Sequence, residues 1–326
     1  MDEAIRLSNV TKTFGQTTAV KDLNLSIPCG SLYGFIGPNG AGKTTTIRLI
    51  MSIFFPDSGE ISVLGHASAL EAKNRIGYLP EERGVYRKMR VGAFLKYIAN
   101  LKGLREPNLD QTVRALLERV GLGGTERKRC EEMSKGMLQK VQFLAAIIHK
   151  PDLLILDEPF SGLDPVSTRL LRNLVLEEHR RGATILFSTH VMPQAEEICQ
   201  NVIMIHRGRK VLDETLAKIR SQYDPRTIEF EPLDSSLNVS LIEKLPEVQQ
   251  VDRNGSGYRI LITEGSDPAK AMQQIIGVTT PARLELSRPR LEDIFIRLVS
   301  TSADTVEDRQ KLRSDLEDAG AGEAAI

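Results

Sequence analysis

"GPNGAGKTT", residues 37–45, decides the fold. It follows the apolar run Leu32 to Ile36 and opens a segment in which Ile47, Ile50, Met51 and Phe54 recur along one helical face until Pro56. Strand, glycine-rich loop and helix, in that order, are the setting that a G-x-x-x-x-G-K-[ST] loop requires. Across Gly37, Pro38, Asn39, Gly40, Ala41 and Gly42 the glycines let backbone N–H groups curl around phosphate oxygens. Lys43 then reaches the β- and γ-phosphates, and Thr44, with Thr45 beside it at the helix start, offers a hydroxyl to Mg2+. A glycine-rich structural turn is the plainer alternative for the same residues.

Outward from this loop the chain alternates strand and helix. "AIRLSNV" (4–10), "LNLSIP" (23–28) and "RIGYLP" (75–80) read as strands. Residues 91–150 lose strand character, and "VGAFLKYIANLKG", "LDQTVRALLERVGL" and "KGMLQKVQFLAAIIHK" read as three helices inserted in an α/β domain. Strands resume as "LLILD" (153–157), "TILFST" (184–189) and "NVIMIH" (201–206), with helices at 166–181 and 193–199 between them. That alternation predicts a mostly parallel sheet covered on both faces.

After about 222 the texture changes: "RTIEFEP", "EVQQV", "YRILIT" and "ARLELSR" are strands, "DPAKAMQQIIG" and "LEDIFIRLV" helices, and "NGSG" a turn. The order predicts a small α+β domain of ferredoxin-like type over 225–300. The last stretch, 301–326, carries seven acids and three bases and is expected to be a frayed helix or disordered. Three parts follow: 1–222 with a helical subdomain at about 85–150, 223–300, and the acidic tail.

The bulk numbers exclude several classes. Forty-three basic and 43 acidic residues cancel, which gives no bulk reason to expect nucleic acid or an anionic membrane as direct partner. Cys29, Cys130 and Cys199 lack disulfide or metal spacing and read as thiols of a reducing compartment, hence cytoplasm. No apolar run approaches the roughly 20 residues of a spanning helix, and the first 30 residues do not read as a signal peptide. A membrane role is therefore expected to come through a partner.

"LLILDEP" supplies the second half of a phosphate site, a buried strand ending in Asp157, suited to orient a Mg2+ shell, and Glu158. Beside a phosphate loop, Glu158 becomes the candidate general base or water-positioning group for attack on a γ-phosphate. "ILFSTH" repeats the pattern with His190 at a strand end, either a structural histidine or a γ-phosphate sensor. "MSKGMLQKVQF" (133–143) is a second anion site, a helix start with Ser134 as cap and Gly136 admitting a ligand to the backbone.

These motifs, over residues 4 to about 220, resemble those of ABC-type ATPases, the nucleotide-binding subunits of ATP-binding-cassette transporters. The resemblance implies a P-loop cassette with a RecA-like core, an antiparallel β edge and a helical subdomain. It implies that Phe14 in "KTFG" stacks on adenine, although a core phenylalanine would look the same. "SGLDP" resembles the family's D-loop, with Asp164 near a dimer interface. "MSKGMLQ" occupies the place of the signature motif "LSGGQ", so that Ser134, Lys135 and Gly136 would bind nucleotide held by the opposite cassette. Met133, Lys135 and Met137 depart from that pattern, and Lys135 either adds charge toward phosphate or points to solvent. In "IGYLPEERG", Glu81 stands where the family usually has glutamine, at a residue that touches Mg2+ and links the site to the membrane partner.

"YLPEERG", "SKGM" and a terminal "LEDIF" helix are similar to the bacterial sodium- and drug-export branch. The function so implied is a Mg-dependent ATPase, using ATP and Mg2+, that drives a separate transmembrane permease as a homo- or heterodimer of cassettes. It would sit on the inner face of the membrane through that permease. Two rivals stay open: a soluble ABC ATPase acting on ribosomes or DNA, and an ATP-gated regulator with little turnover.

Overall fold

The computed structural model describes residues 2–300 except 83, 223–226, 235–238 and 288–289. The chain forms two compact units, one built on Met1–Thr215 and the other on Leu216–Leu298. The expectation for the acidic tail lies outside the described residues.

In the first unit β1 (Glu3–Phe14), β2 (Thr17–Pro28) and β4 (Ser58–Val63) make an antiparallel sheet in the order β2-β1-β4. A second sheet has β3 (Leu32–Ile36), β5 (Ile76–Leu79), β6 (Leu153–Asp157), β7 (Thr184–Thr189), β8 (Asn201–His206) and β9 (Arg209–Thr215). Its order is β5-β6-β7-β3-β8-β9, parallel except for β9 at the edge. Every residue of β6 and β7 is buried, which is why both read as unbroken apolar runs rather than as alternation.

One apolar cluster joins the two sheets: Ile5, Val10, Val20 and Ile27 from the first, Phe35, Ile155, Leu186 and Ile203 from the second, and Ile47, Leu49 and Ile50 of α1 (Lys43–Ile50). Burying side chains of this size stabilises by about 1.5–3 kcal/mol each. The phosphate loop is thus anchored at both ends in the same core. The inserted helices are α2 (Val91–Leu101), α3 (Leu109–Arg119) and α4 (Lys135–Ile147), and α5 (Pro165–Arg180) and α6 (Met192–Ile198) cover the sheet.

One sequence expectation changes here. The first helix does not run to Pro56; it ends at Ile50. Ser52 adopts φ 56°, and the Ile53 and Ser52 amides donate to the Arg48 and Leu49 carbonyls at 2.9 and 3.0 Å. That left-handed closure satisfies the last carbonyls and turns the chain away, leaving Phe54 outside the helix. Strands β4 and β9, and α7 (Leu216–Gln222), carry no strong periodic signal and are additions to the sequence reading.

The second unit contains β10 (Thr227–Pro232), α8 (Ser240–Glu243), β11 (Val248–Asn254), β12 (Gly257–Ile262), α9 (Pro268–Val278) and β13 (Pro281–Ser287), followed by α10 (Leu291–Ser300). The sheet is antiparallel throughout, in the order β11-β12-β10-β13. This is the ferredoxin-like split βαβ arrangement expected from the element order. Ile228, Phe230, Ile260, Ile262, Ala271 and Ile275 form its core.

Candidate functional site

The phosphate loop is shaped by close backbone approach. Gly42 adopts φ 105°, and a Cβ there would lie 2.4 Å from the Ala19 carbonyl oxygen, so no other residue fits without displacement. Lys43 is buried, and its Nζ donates to the carbonyls of Gly37 (2.6 Å) and Pro38 (3.1 Å), curling the loop around the ammonium. Burial holds that ammonium below the ordinary lysine range, against the charges of Glu158, Asp157 and Glu81.

The ends of β6 and β7 bring the acids to the loop. Parallel register sets Asp157 opposite Ser188, whose hydroxyl donates to Asp157 Oδ1. Asp157 is fully buried, and burial pushes its carboxyl up, against the hydrogen bonds from Ser188 and Thr44 and with the charges of Glu81 and Glu158. Its Oδ2 has no hydrogen-bond partner. Thr44 Oγ1 lies 3.5 Å from both Asp157 Oδ1 and Glu81 Oε2.

Glu158 is the residue where the chain leaves β6, and it does so at φ 49°, a left-handed conformation uncommon for a side chain of this kind. Its amide donates to the Ser188 carbonyl (3.2 Å) and hydroxyl (3.3 Å), which fixes the turn. That turn directs the carboxylate back over the loop: Oε1 is 2.8 Å from His190 Nδ1 and 4.0 Å from Lys43 Nζ. A carboxylate so held, beside the buried ammonium of the loop lysine, can accept a proton from water.

Around these groups lies a cavity of about 510 Å³, lined by Asn39 to Thr45, Glu81 and Glu158, together with Thr17, Thr18 and Ala19 at the start of β2 and Arg207 and Gly208 in the β8–β9 turn. The last five were missed by sequence reasoning. Phe14 is not among the lining residues; it is 44% exposed at the end of β1, edge-on to Phe54 with ring centroids 5.3 Å apart.

The helix start read from sequence as a second anion site lies elsewhere in the unit, and none of Ser134, Lys135 and Gly136 lines the cavity. Ser134 caps α4, its Oγ accepting from the Met137 amide at 3.3 Å, and Gln139 Nε2 donates to the Pro159 carbonyl at 3.1 Å, tying α4 to the segment after Glu158. Lys135 is exposed, and its stem lies along Gly162: a Cβ there would sit 3.2 Å from Lys135 Cε. Asp164 caps α5, accepting from the Ser167 amide (2.9 Å) and hydroxyl (2.6 Å), which hold its carboxyl below the usual range.

A phosphate loop between strand and helix, two acids at the end of β6, which β7 separates from β3, and an antiparallel β edge define the P-loop NTPase cassette of the ABC type. The model of the family described as ABC transporter matches residues 20–161, and that of the ATP-binding protein DrrA1-3-like C-terminal domain matches 215–299. The uncharacterized ABC transporter ATP-binding protein YhaQ of Bacillus subtilis is 38% identical over 295 residues, 90% of this chain and 98% of that protein. Nod factor export ATP-binding protein I of Sinorhizobium fredii is 34% identical over 91% of this chain and 86% of its own length. A solved structure of the ATP-binding subunit of an ABC transporter superposes with TM-score 0.63 at 31% identity, covering 67% of this chain and 92% of that one. The chain belongs to the ATP-binding proteins of ABC transporters.

Proposed function

We propose that the chain is the ATP-hydrolysing motor of an exporter, coupling ATP-driven closure of two cassettes to a separate membrane-spanning subunit. The observation that carries this is the juxtaposition of Lys43 and Glu158 at one cavity, with His190 bonded to the Glu158 carboxylate. Export is supported by a relative that bears that activity in its name. No helix among the described residues is long and apolar enough to cross a membrane, in keeping with attachment to the inner face through the permease.

In this reading the loop amides and Lys43 bind the β- and γ-phosphates, Lys43 exchanging its two carbonyl partners for phosphate oxygens. The hard oxygen donors Thr44, Asp157 and Glu81 fit Mg2+, and the orphaned Asp157 Oδ2 is a buried acceptor in need of a partner. When bound, that cation neutralises charge on the phosphates. Glu158 takes the proton of the attacking water, and His190 holds the carboxylate in place by its 2.8 Å bond. Ser134, Lys135 and Gly136, with Asp164, act on the nucleotide of the opposite cassette, and Phe14 packs against the base. No direct contact with nucleic acid is part of this reading.

The test is to purify the tagged chain from gently solubilised native membranes and identify what co-elutes in a defined ratio. A polytopic membrane protein is expected. Ribosomal or DNA-repair partners in its place would overturn the transporter reading in favour of a soluble ABC ATPase.

A further inference from the structure

At the foot of the phosphate loop Thr44 Oγ1 stands 3.5 Å from Glu81 Oε2 and 3.5 Å from Asp157 Oδ1. Those separations are long for hydrogen bonds. Two oxygens at right angles on a hard cation, at ~2.1 to ~2.4 Å from it, stand about 3.0 to 3.4 Å apart. The observed spacing is therefore close to one edge of such a coordination shell. Asp157 is fully buried, and its Oδ2 is without a partner, so the protein has spent desolvation on a carboxylate whose acceptor capacity it does not use. No three His, Cys, Asp or Glu side chains among the described residues are arranged to hold a metal by themselves. The set here is two carboxylates and a hydroxyl.

Charge points the same way. Lys43, Arg207, Glu81 and Glu158 line the cavity, and Lys43 feels the charge of Asp157 as well as of the two glutamates, so three carboxylates accompany two cations where a polyphosphate would enter. With an amide at position 81 those charges would balance. The glutamate leaves one negative charge in surplus, which disfavours metal-free nucleotide and favours a divalent cation.

We propose that Glu81 makes this a cation-first site: with Thr44 and Asp157 it takes a hard divalent cation before nucleotide arrives, and the polyphosphate then joins a cation already seated. This rests on the nucleotide-site reading above and adds to it the order of binding and the residue that sets it.

The test is titration of the nucleotide-free, metal-stripped full chain with Mn2+ alone, followed by the paramagnetic resonance signal of free Mn2+, with Mg2+ as competitor. Wild type is expected to take up one Mn2+ per chain, displaced by Mg2+. Glu81→Gln is expected to bind at least about tenfold more weakly, the low end of what even outer-shell changes cost metal sites. Glu81 is exposed, so this variant is not expected to disturb folding, which circular dichroism checks. Equal Mn2+ binding by wild type and Glu81→Gln would overturn the proposal, as would no uptake by a wild-type chain that binds a fluorescent ATP analogue in the presence of Mg2+. A chain that fails to bind that analogue at all would instead refute the nucleotide-site reading on which the proposal stands.

Discussion

His190 Nδ1 lies 2.8 Å from Glu158 Oε1, although the two residues sit on different strand ends 32 positions apart. The bond exists because β6 and β7 run parallel in register and because Glu158 turns left-handed at the end of its strand. If Glu158 is the base, Glu158→Gln keeps the shape and a hydrogen-bonding partner for His190 while losing the proton acceptor. Steady-state ATPase assays are expected to show kcat lower by about 10²- to 10⁴-fold, with binding of ATP retained. His190→Ala leaves the carboxylate present but unoriented, so a smaller loss is expected, again in kcat more than in KM. Unchanged hydrolysis by Glu158→Gln would remove the assignment of the base.

The loop itself offers a graded comparison. Gly42→Ala meets both an unfavourable φ of 105° and the Ala19 carbonyl oxygen at 2.4 Å, whereas Gly40→Ala, at φ 76°, meets nothing within 4 Å. Gly40→Ala is expected to cost about 1–2 kcal/mol from φ alone. Gly42→Ala should cost more than that and weaken ATP binding as well, because relief requires moving the loop away from β2. Denaturant unfolding and fluorescent-nucleotide titration of the two variants check the order.

How far the sequence speaks depends on whether a constraint is local. The phosphate loop was legible because its glycines, its lysine and the strand and helix around it are contiguous, and β6 and β7 because burial on both faces leaves an apolar run ending in a polar residue. Thr17 to Ala19 and Arg207 to Gly208 were not, since they reach the cavity from other loops and act largely by backbone: a Cβ at Gly208 would lie 2.8 Å from the same Ala19 carbonyl that constrains Gly42. The β4 strand escaped because its first three residues are exposed and only Val63 is fully buried. The end of α1 escaped because Ser52, not a glycine, takes the left-handed position. The departure at Glu81 could be read as a letter, but the hydroxyl and buried carboxylate that it faces are visible only in three dimensions.

His149 gives the fold a pH dependence separate from the site. Its Nε2 donates to the Ile76 carbonyl at 3.1 Å, its Nδ1 is buried without a partner, and burial, with nearby Lys102, depresses it from 6.5 to about 4. Between those values the unfolded chain binds a proton that the folded chain does not, so stability is fully present above about pH 6.5 and falls as pH drops toward 4. The loss from this group approaches about 3 kcal/mol at the bottom of the window. Denaturant midpoints measured at pH 7.5 and pH 5 are expected to differ, and His149→Gln, which keeps a donor for Ile76, should flatten that difference. An unchanged slope in the variant would assign the acid sensitivity to other groups.

Lys43 lines the cavity, whereas Ser134 caps α4 and does not line it. If the α4 start serves the nucleotide of an opposite cassette, each chain of a dimer contributes to both sites, and the defects of two variants are complementary. Lys43→Ala is expected to lose ATP binding at its own loop, and Ser134→Arg to block the neighbour's γ-phosphate with a bulky side chain while still binding nucleotide. Each alone should hydrolyse little. In a mixed dimer one composite site combines two damaged halves and the other combines two intact ones, so up to half of the mixed population's sites should recover turnover. The measurement is ATPase activity after mixing, with heterodimers quantified by two affinity tags. No recovery in confirmed heterodimers would count against sharing, and normal activity of Ser134→Arg by itself would make Ser134 a helix cap and nothing more.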